Sequence, residues 1–168
     1  MSDSFASGKE RAEAYARSCG ITLGPQLGFG NDRTIWTTSR ATAVKVFDRI
    51  PAYHRERDVY LRLRERGIIN LREFAVPKLV DFDDELAIVE MGIVPPPFVL
   101  DFAKAYLDEA PEFSPEVMAD WEAARVEMFG ADWRKIQRAL RALSVLGIYY
   151  FDATPGNIRL RAEDGEME

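Results

Sequence analysis

Ala43-Val44-Lys45-Val46-Phe47 is a five-residue apolar run with a single ammonium group at its centre. Alternation with period two places Ala43, Lys45 and Phe47 on one face of a strand and Val44 and Val46 on the other. A lysine so placed either reaches water along its stem or meets an anion, because an unpaired buried charge is very costly. The next segment offers the anion. Read as a helix, Pro51 to Arg66 sets Tyr53, Glu56, Tyr60 and Leu63 on one stripe, at spacings of three, four and three. Glu56 is the only charge on that stripe, whereas Arg55, Arg57 and Asp58 project elsewhere. The pattern predicts an inward carboxylate opposite an inward ammonium. A purely structural ion pair would satisfy it equally well.

The chain around this pair has 168 residues, a formal net charge of −6 and an apolar fraction of 47%. That suffices for one domain, or for two small lobes sharing a ligand cleft. The acidic balance offers no basic stripe for a phosphate backbone, so nucleic acid is not an expected partner. Cys19, the single cysteine, cannot form an intramolecular disulfide and reads as a small hydrophobe in a reducing compartment. The chain has no apolar run of about 18 residues and no signal core, which predicts a cytoplasmic protein with no membrane partner. His54 is the only histidine, and no Cys/His set with metal-ligand spacing is present.

Taken in order, Ser4 to Ser18 reads as a surface helix and Gly20 to Leu27 as a short strand. Gly28-Phe29-Gly30 opens a turn-rich loop into a second strand ending near Thr38; its plainest reading is a hairpin turn needing positive φ. The helix holding Glu56 stops at Gly67. Strands follow at Val76 to Phe82 and Leu86 to Met91, joined by the acidic turn Asp83-Asp84-Glu85. Residues 1–91 thus form a lobe of five strands with one inserted helix, and 92–97, with three prolines, a hinge. Residues 98–168 read as mainly helical. One helix covers Phe98 to Ala110, with Phe98, Phe102, Ala105 and Tyr106 on a face. A second, capped by Ser114 with Pro115 at its first position, runs to Phe129 with Val117, Trp121, Ala124 and Met128 inward. A third spans Ala131 to Leu146 on a stripe of Trp133, Ile136, Leu140 and Leu143. The loop Asp152-Ala153-Thr154-Pro155-Gly156-Asn157 leads to a last strand, Ile158 to Arg161, and an acidic tail.

A glycine hairpin, a strand lysine, a helix glutamate and, much later, an aspartate five positions before an asparagine therefore follow one another. This order resembles the protein-kinase-like superfamily, including its bacterial small-molecule branches, over residues 20–161. The resemblance implies an α+β fold, with a five-stranded antiparallel N-lobe carrying one helix and a reduced, mainly helical C-lobe. It implies ATP and Mg²⁺ as cofactors. Gly28, Phe29 and Gly30 look like the glycine-rich loop, where backbone N–H groups approach phosphate oxygens that a Cβ would keep away. Lys45 looks like the phosphate-binding lysine and Glu56 like its partner. Val89-Glu90-Met91-Gly92 resembles the hinge that meets the adenine edge, and any backbone donor there must lie before Pro95. Asp152 looks like the base that takes the proton of the attacking hydroxyl, and Asn157 like an oxygen ligand of Mg²⁺.

Departures from that pattern bear on activity. The third glycine is replaced near Arg33, and Tyr150-Phe151 precede Asp152 where the family usually has His-Arg or His-Gly. The chain ends before the place where the family's Asp-Phe-Gly segment supplies its main metal-binding aspartate. On that reading Ile158 to Arg161 lacks its hairpin partner and presents an open edge, unless a second copy covers it in a homodimer. Asp152 and Asn157 could equally close a proline-glycine turn through side-chain bonds to the backbone. The leading expectation is an ATP-binding kinase-like protein transferring phosphate to a hydroxyl on a small molecule or protein. The alternative is a non-catalytic pseudokinase that binds or regulates, and a third reading is a structural domain without nucleotide.

Overall fold

In the computed structural model the described residues are 6–30, 33–99 and 101–160; the acidic tail lies outside them. The Lys45 strand, β3 (Thr42–Phe47), is buried along its whole length. Its neighbours explain why. β1 (Leu23–Gly30), β2 (Arg33–Thr38), β6 (Leu79–Asp83) and β7 (Ile88–Gly92) join it in an antiparallel sheet of order β1-β2-β3-β7-β6, which makes β3 the central strand. Both faces of that sheet are covered. On one, Ala43, Phe47, Val89 and Met91 pack against Tyr53, Val59, Tyr60 and Leu63 of α2 (Ile50–Glu65). On the other, Val44, Val46, Ile88 and Trp36 pack against Ala12 and Tyr15 of α1 (Gly8–Cys19). The period-two reading of the strand and the stripe reading of α2 both hold.

The first helix is more than a surface element. Ser7 and Glu10 form a capping box at its start, and Gly20 closes it with φ 67°. Its inward stripe contains Arg11, whose guanidinium donates to the carbonyls of Phe47 and Leu86 (both 2.8 Å) and to Asp48 (3.0 Å). The surface-helix expectation failed because an arginine in an alanine-rich stripe reads as solvent-facing until the acceptors it reaches, far off in sequence, are known.

The second half differs from its helical reading. Phe98 to Ala110 is not a helix: β8 (Phe98–Val99) and β9 (Tyr106–Leu107) are strands, and Asp101 and Asp108 have φ of 76° and 66°. Phe102 and Ala105 are fully buried, as a helical face would require, but Tyr106 is 42% exposed. A short apolar run does not distinguish strand from helix by periodicity alone. β8 pairs with β11 (Ile158–Arg159) and with β5 (Phe74–Ala75), which pairs with β4 (Asn70–Leu71); β9 pairs with β10 (Ile148–Tyr149). The last strand pairs with β8 on one side and, among the described residues, stands at the edge of this small sheet. Strands from either side of the Pro-rich stretch share this small sheet.

Ser114 caps α3 (Pro115–Phe129) as expected, accepting from the Val117 N–H at 3.2 Å. Its expected inward face does not hold: Val117 and Met128 are 51% and 49% exposed, while Trp121 and Ala124 are half-buried and Phe129 is the residue it buries. Trp121 anchors the helix by donating to the Phe151 carbonyl at 2.9 Å and packing edge-on against Trp133. The turn Gly130–Asp132 leads into α4 (Trp133–Val145), which buries Trp133, Ile136, Ala139 and Leu143. No helix among the described residues is long and apolar enough to cross a membrane.

Arg11 and Lys9 test this layering. Arg11→Ala should cost about 2–4 kcal/mol in urea or thermal unfolding, since it strands two carbonyl acceptors where each unmet group costs about 1–3 kcal/mol. Lys9→Ala, which removes an exposed contact to Glu13 at 4.0 Å, should change stability by no more than about 0.5 kcal/mol. Equal effects would mean that α1 is not packed on the sheet.

Candidate functional site

β3 delivers Lys45 to the face covered by α2, and the stripe of α2 delivers Glu56 to meet it. Lys45 Nζ lies 2.5 Å from Glu56 Oε1, with Lys45 2% and Glu56 0% exposed. The ammonium also sits 5.1 Å from the centroid of the Phe47 ring, a favourable cation–π position. Burial pushes the Glu56 carboxyl above the usual range, with the Lys45 charge pulling the other way. Glu56 Oε2 is buried with no hydrogen-bond partner. The pair is thus close but incompletely satisfied, which is expensive in a dry interior.

A second carboxylate, unforeseen in the sequence, completes the cluster. Asp101, 4% exposed, places Oδ1 3.5 Å from Lys45 Nζ and pairs through Oδ2 with Arg33 of β2. Two cations and two carboxylates balance. The sequence carried a signal for this residue: Asp101-Phe102 is an Asp-Phe pair directly after an apolar strand. It stands ahead of the Asp152 loop instead of behind it, where the resemblance directed the search.

Asp101 also lines a cleft of about 390 Å³, together with Arg33, Arg55, Lys104, Asp152 and Asn157. In the Asp152 loop, Asn157 Nδ2 donates both to the Asp152 carbonyl and to Asp152 Oδ2, each at 2.9 Å. The Asn157 and Ile158 N–H groups close the turn on the Thr154 carbonyl, at 3.0 and 2.9 Å. The turn chemistry weighed from sequence is therefore present, and it holds both side chains at the cleft. Lys104 Nζ approaches Asp152 Oδ2 at 3.8 Å. The Tyr150 hydroxyl is buried and unpartnered; burial above all, then the charges of Asp101 and Asp152, pushes its pKa up and keeps it protonated.

The remaining candidates lie elsewhere. Gly28 and Gly30 belong to β1, where Gly28 pairs with Ile35, Phe29 with Thr34 and Gly30 with Arg33. Irregular register before Gly28 marks this strand as bulged, but Gly28 has no positive φ, and a Cβ there would meet nothing within 4 Å. The hairpin pairing holds, and its turn at 31–32 lies outside the described residues. Because Gly30 lies opposite Arg33, the end of the hairpin borders the cleft. Glu90 points to the opposite face of the sheet from Lys45. Its carboxylate accepts from Tyr15 (2.7 Å), from Arg40 Nε (2.7 Å) and Nη2, and from Thr42. Burial raises its pKa, but the bonds from Arg40, Thr42 and Tyr15 outweigh that and hold it below the usual carboxylate range. The Gly92 N–H donates to the Lys78 carbonyl at 2.9 Å. Neither residue lines the cleft.

No family model and no curated protein matches this sequence. Among solved structures the fold is similar to that in the streptomycin–ATP–APH(2'')-IIa ternary complex. The sequence identity is 18% and the TM-score 0.42, over 85% of this chain and 40% of that one. This chain thus spans less than half the length of that chain. The α+β class holds, with a five-stranded antiparallel sheet and one helix carrying the glutamate opposite the strand lysine.

The raised Glu56 pKa has a measurable sign. A carboxyl that holds its proton more tightly when folded makes stability fall as pH climbs from its unfolded value, about 4.3, towards its folded one. Lys45→Met removes the nearest opposing charge, so its melting temperature should fall more steeply than wild type between pH 5 and 8. Adding Glu56→Gln should abolish the extra slope. Parallel curves for all three proteins would place the Glu56 charge outside the core.

Proposed function

We propose that this chain binds ATP and transfers phosphate to a hydroxyl acceptor. The observation that carries the reading is Asp101, which lines one cleft with Asp152 and Asn157 and lies 3.5 Å from the ammonium of the buried Lys45–Glu56 pair behind it. Phosphoryl transfer asks for positioning and charge neutralisation more than covalent chemistry. Lys45, steadied by Glu56, supplies a compact charge for a phosphate oxygen. The β1–β2 pairing brings Arg33 to the same side. Asp152 has Oδ2 tied to Asn157, which leaves Oδ1 to accept the proton of the attacking hydroxyl. The donors at the cleft are hard oxygens, the set that Mg²⁺ prefers, and Asn157 Oδ1 is free to join it because Nδ2 is engaged. When bound, that ion would neutralise charge on the phosphates.

Thermal shift with ATP and Mg²⁺, alongside phosphate release, tests the reading. Saturation at about 100 times Kd should add about 2.7 kcal/mol, a rise of roughly 5–10 °C for a chain of this size. Lys45→Met should abolish the shift. Asp152→Asn should keep it while lowering turnover about 10²–10⁴-fold. Gly28→Ala should melt like wild type without ligand but show a smaller shift with it. A shift without turnover in wild type would make the protein a non-catalytic nucleotide-binding module, and no shift at millimolar ATP would leave a structural domain.

A further inference from the structure

Asp101 is the charged group in the cleft whose presence is hardest to account for by folding alone. It is 4% exposed, and both its oxygens face cations, Lys45 and Arg33. Its contact to Lys45 is the looser of the two that the ammonium makes, 3.5 Å against 2.5 Å to Glu56. Its φ of 76° is a conformation that L side chains rarely adopt and that persists where surrounding structure enforces it, commonly at functional sites. Asp101 lies just beyond the β8–β11 pairing. Val99 stands opposite Ile158, so the residues just after Val99 run level with those just before Ile158. That register brings Asp101 and Asn157 to the same cleft.

Asn157 provides an independent observation on the same cleft. It is 7% exposed, its Nδ2 is engaged twice by Asp152, and its Oδ1 makes no hydrogen bond. An acceptor oxygen left open in so buried a side chain, facing a cleft shared with a buried carboxylate, is what a hard cation takes.

We propose that Asp101 and Asn157 Oδ1 together bind the divalent cation that accompanies the nucleotide, and that without nucleotide Asp101 serves as internal counter-ion to Lys45 and Arg33. This rests on the nucleotide reading above and adds to it a residue assignment and a coupling. Phosphate oxygens that engage Lys45 and Arg33 displace Asp101 from its cations. A buried carboxylate without a cation is very costly, and the incoming divalent ion restores the balance. Nucleotide and cation therefore bind cooperatively, with Asp101 as the shared element. The carboxylate lies just after β8 and so precedes the Asp152 loop in the chain.

Calorimetric titration of ATP, in excess Mg²⁺ and in EDTA, tests this without relying on turnover. Wild type should bind ATP at least about 10-fold more tightly with Mg²⁺, within the range usual for coupled sites. Asp101→Asn should shrink that ratio to about 3-fold or less while leaving Mg²⁺-free binding equal or tighter, because Lys45 and Arg33 are released; a weaker coupling of that kind is the linkage signature. A purely structural Asp101 would weaken both titrations together and preserve the ratio, and that result overturns the assignment. Should Asp101→Asn fail to fold, Arg33→Met serves instead. By freeing Oδ2 it should tighten binding of Mn²⁺ alone, followed by electron paramagnetic resonance, and unchanged Mn²⁺ affinity would count equally against the proposal. If wild type binds no ATP with or without Mg²⁺, the nucleotide reading itself fails and this inference falls with it. If ATP binds and the ratio survives in Asp101→Asn, the Asp101 assignment alone is lost.

Discussion

The constraint behind this structure is the charge of Lys45 in a strand buried on both faces. An ammonium cannot stay in such a place without an anion, and β3 lies too deep for the side chain to reach water. The register of α2 answers this by turning Glu56, and none of its neighbouring charges, towards the sheet. One carboxylate does not complete the balance, because Arg33 also enters from β2; Asp101 supplies the second. The Asp101 backbone has φ 76°, and its carboxylate meets both cations.

The two faces of the sheet hold buried charge in different ways. Around Glu90 every oxygen is used: Tyr15, Arg40 and Thr42 all donate to it, and α1 seals the cluster. A fully satisfied network rigidifies its surroundings and has nothing left to offer a ligand. Around Lys45 the accounting is incomplete. Among the described residues Glu56 Oε2 and the Tyr150 hydroxyl have no hydrogen-bond partner, Asn157 Oδ1 is open, and Asp101 lies 3.5 Å from the ammonium. That contrast, more than the presence of charge, separates the two faces of the sheet.

Antiparallel pairing is indifferent to which strand comes first in the chain. β8 precedes β11 by the whole of α3 and α4, yet their register brings an Asp-Phe pair and an Asp-x-x-Pro-x-Asn loop to one cleft. A search along the sequence in the family's usual order passes over Asp101 for that reason.

What the sequence by itself determined is what short-range geometry controls. Two-residue and 3.6-residue periodicities placed Lys45 and Glu56 face to face, serine and proline marked the start of α3, and Gly67 the end of α2, because each depends on neighbours within a turn or two. The stretch Phe98 to Ala110 reads as a helix when taken alone because the pairing partners of its strands are β5, β10 and β11, all distant in sequence. The outward face of α3, the burial of Arg11 and the withdrawal of Glu90 to the α1 side were hidden for the same reason. Tertiary structure alone decided which charges share a cleft, since that depends on strand pairings between residues far apart in the chain, and local propensity carries no information about those.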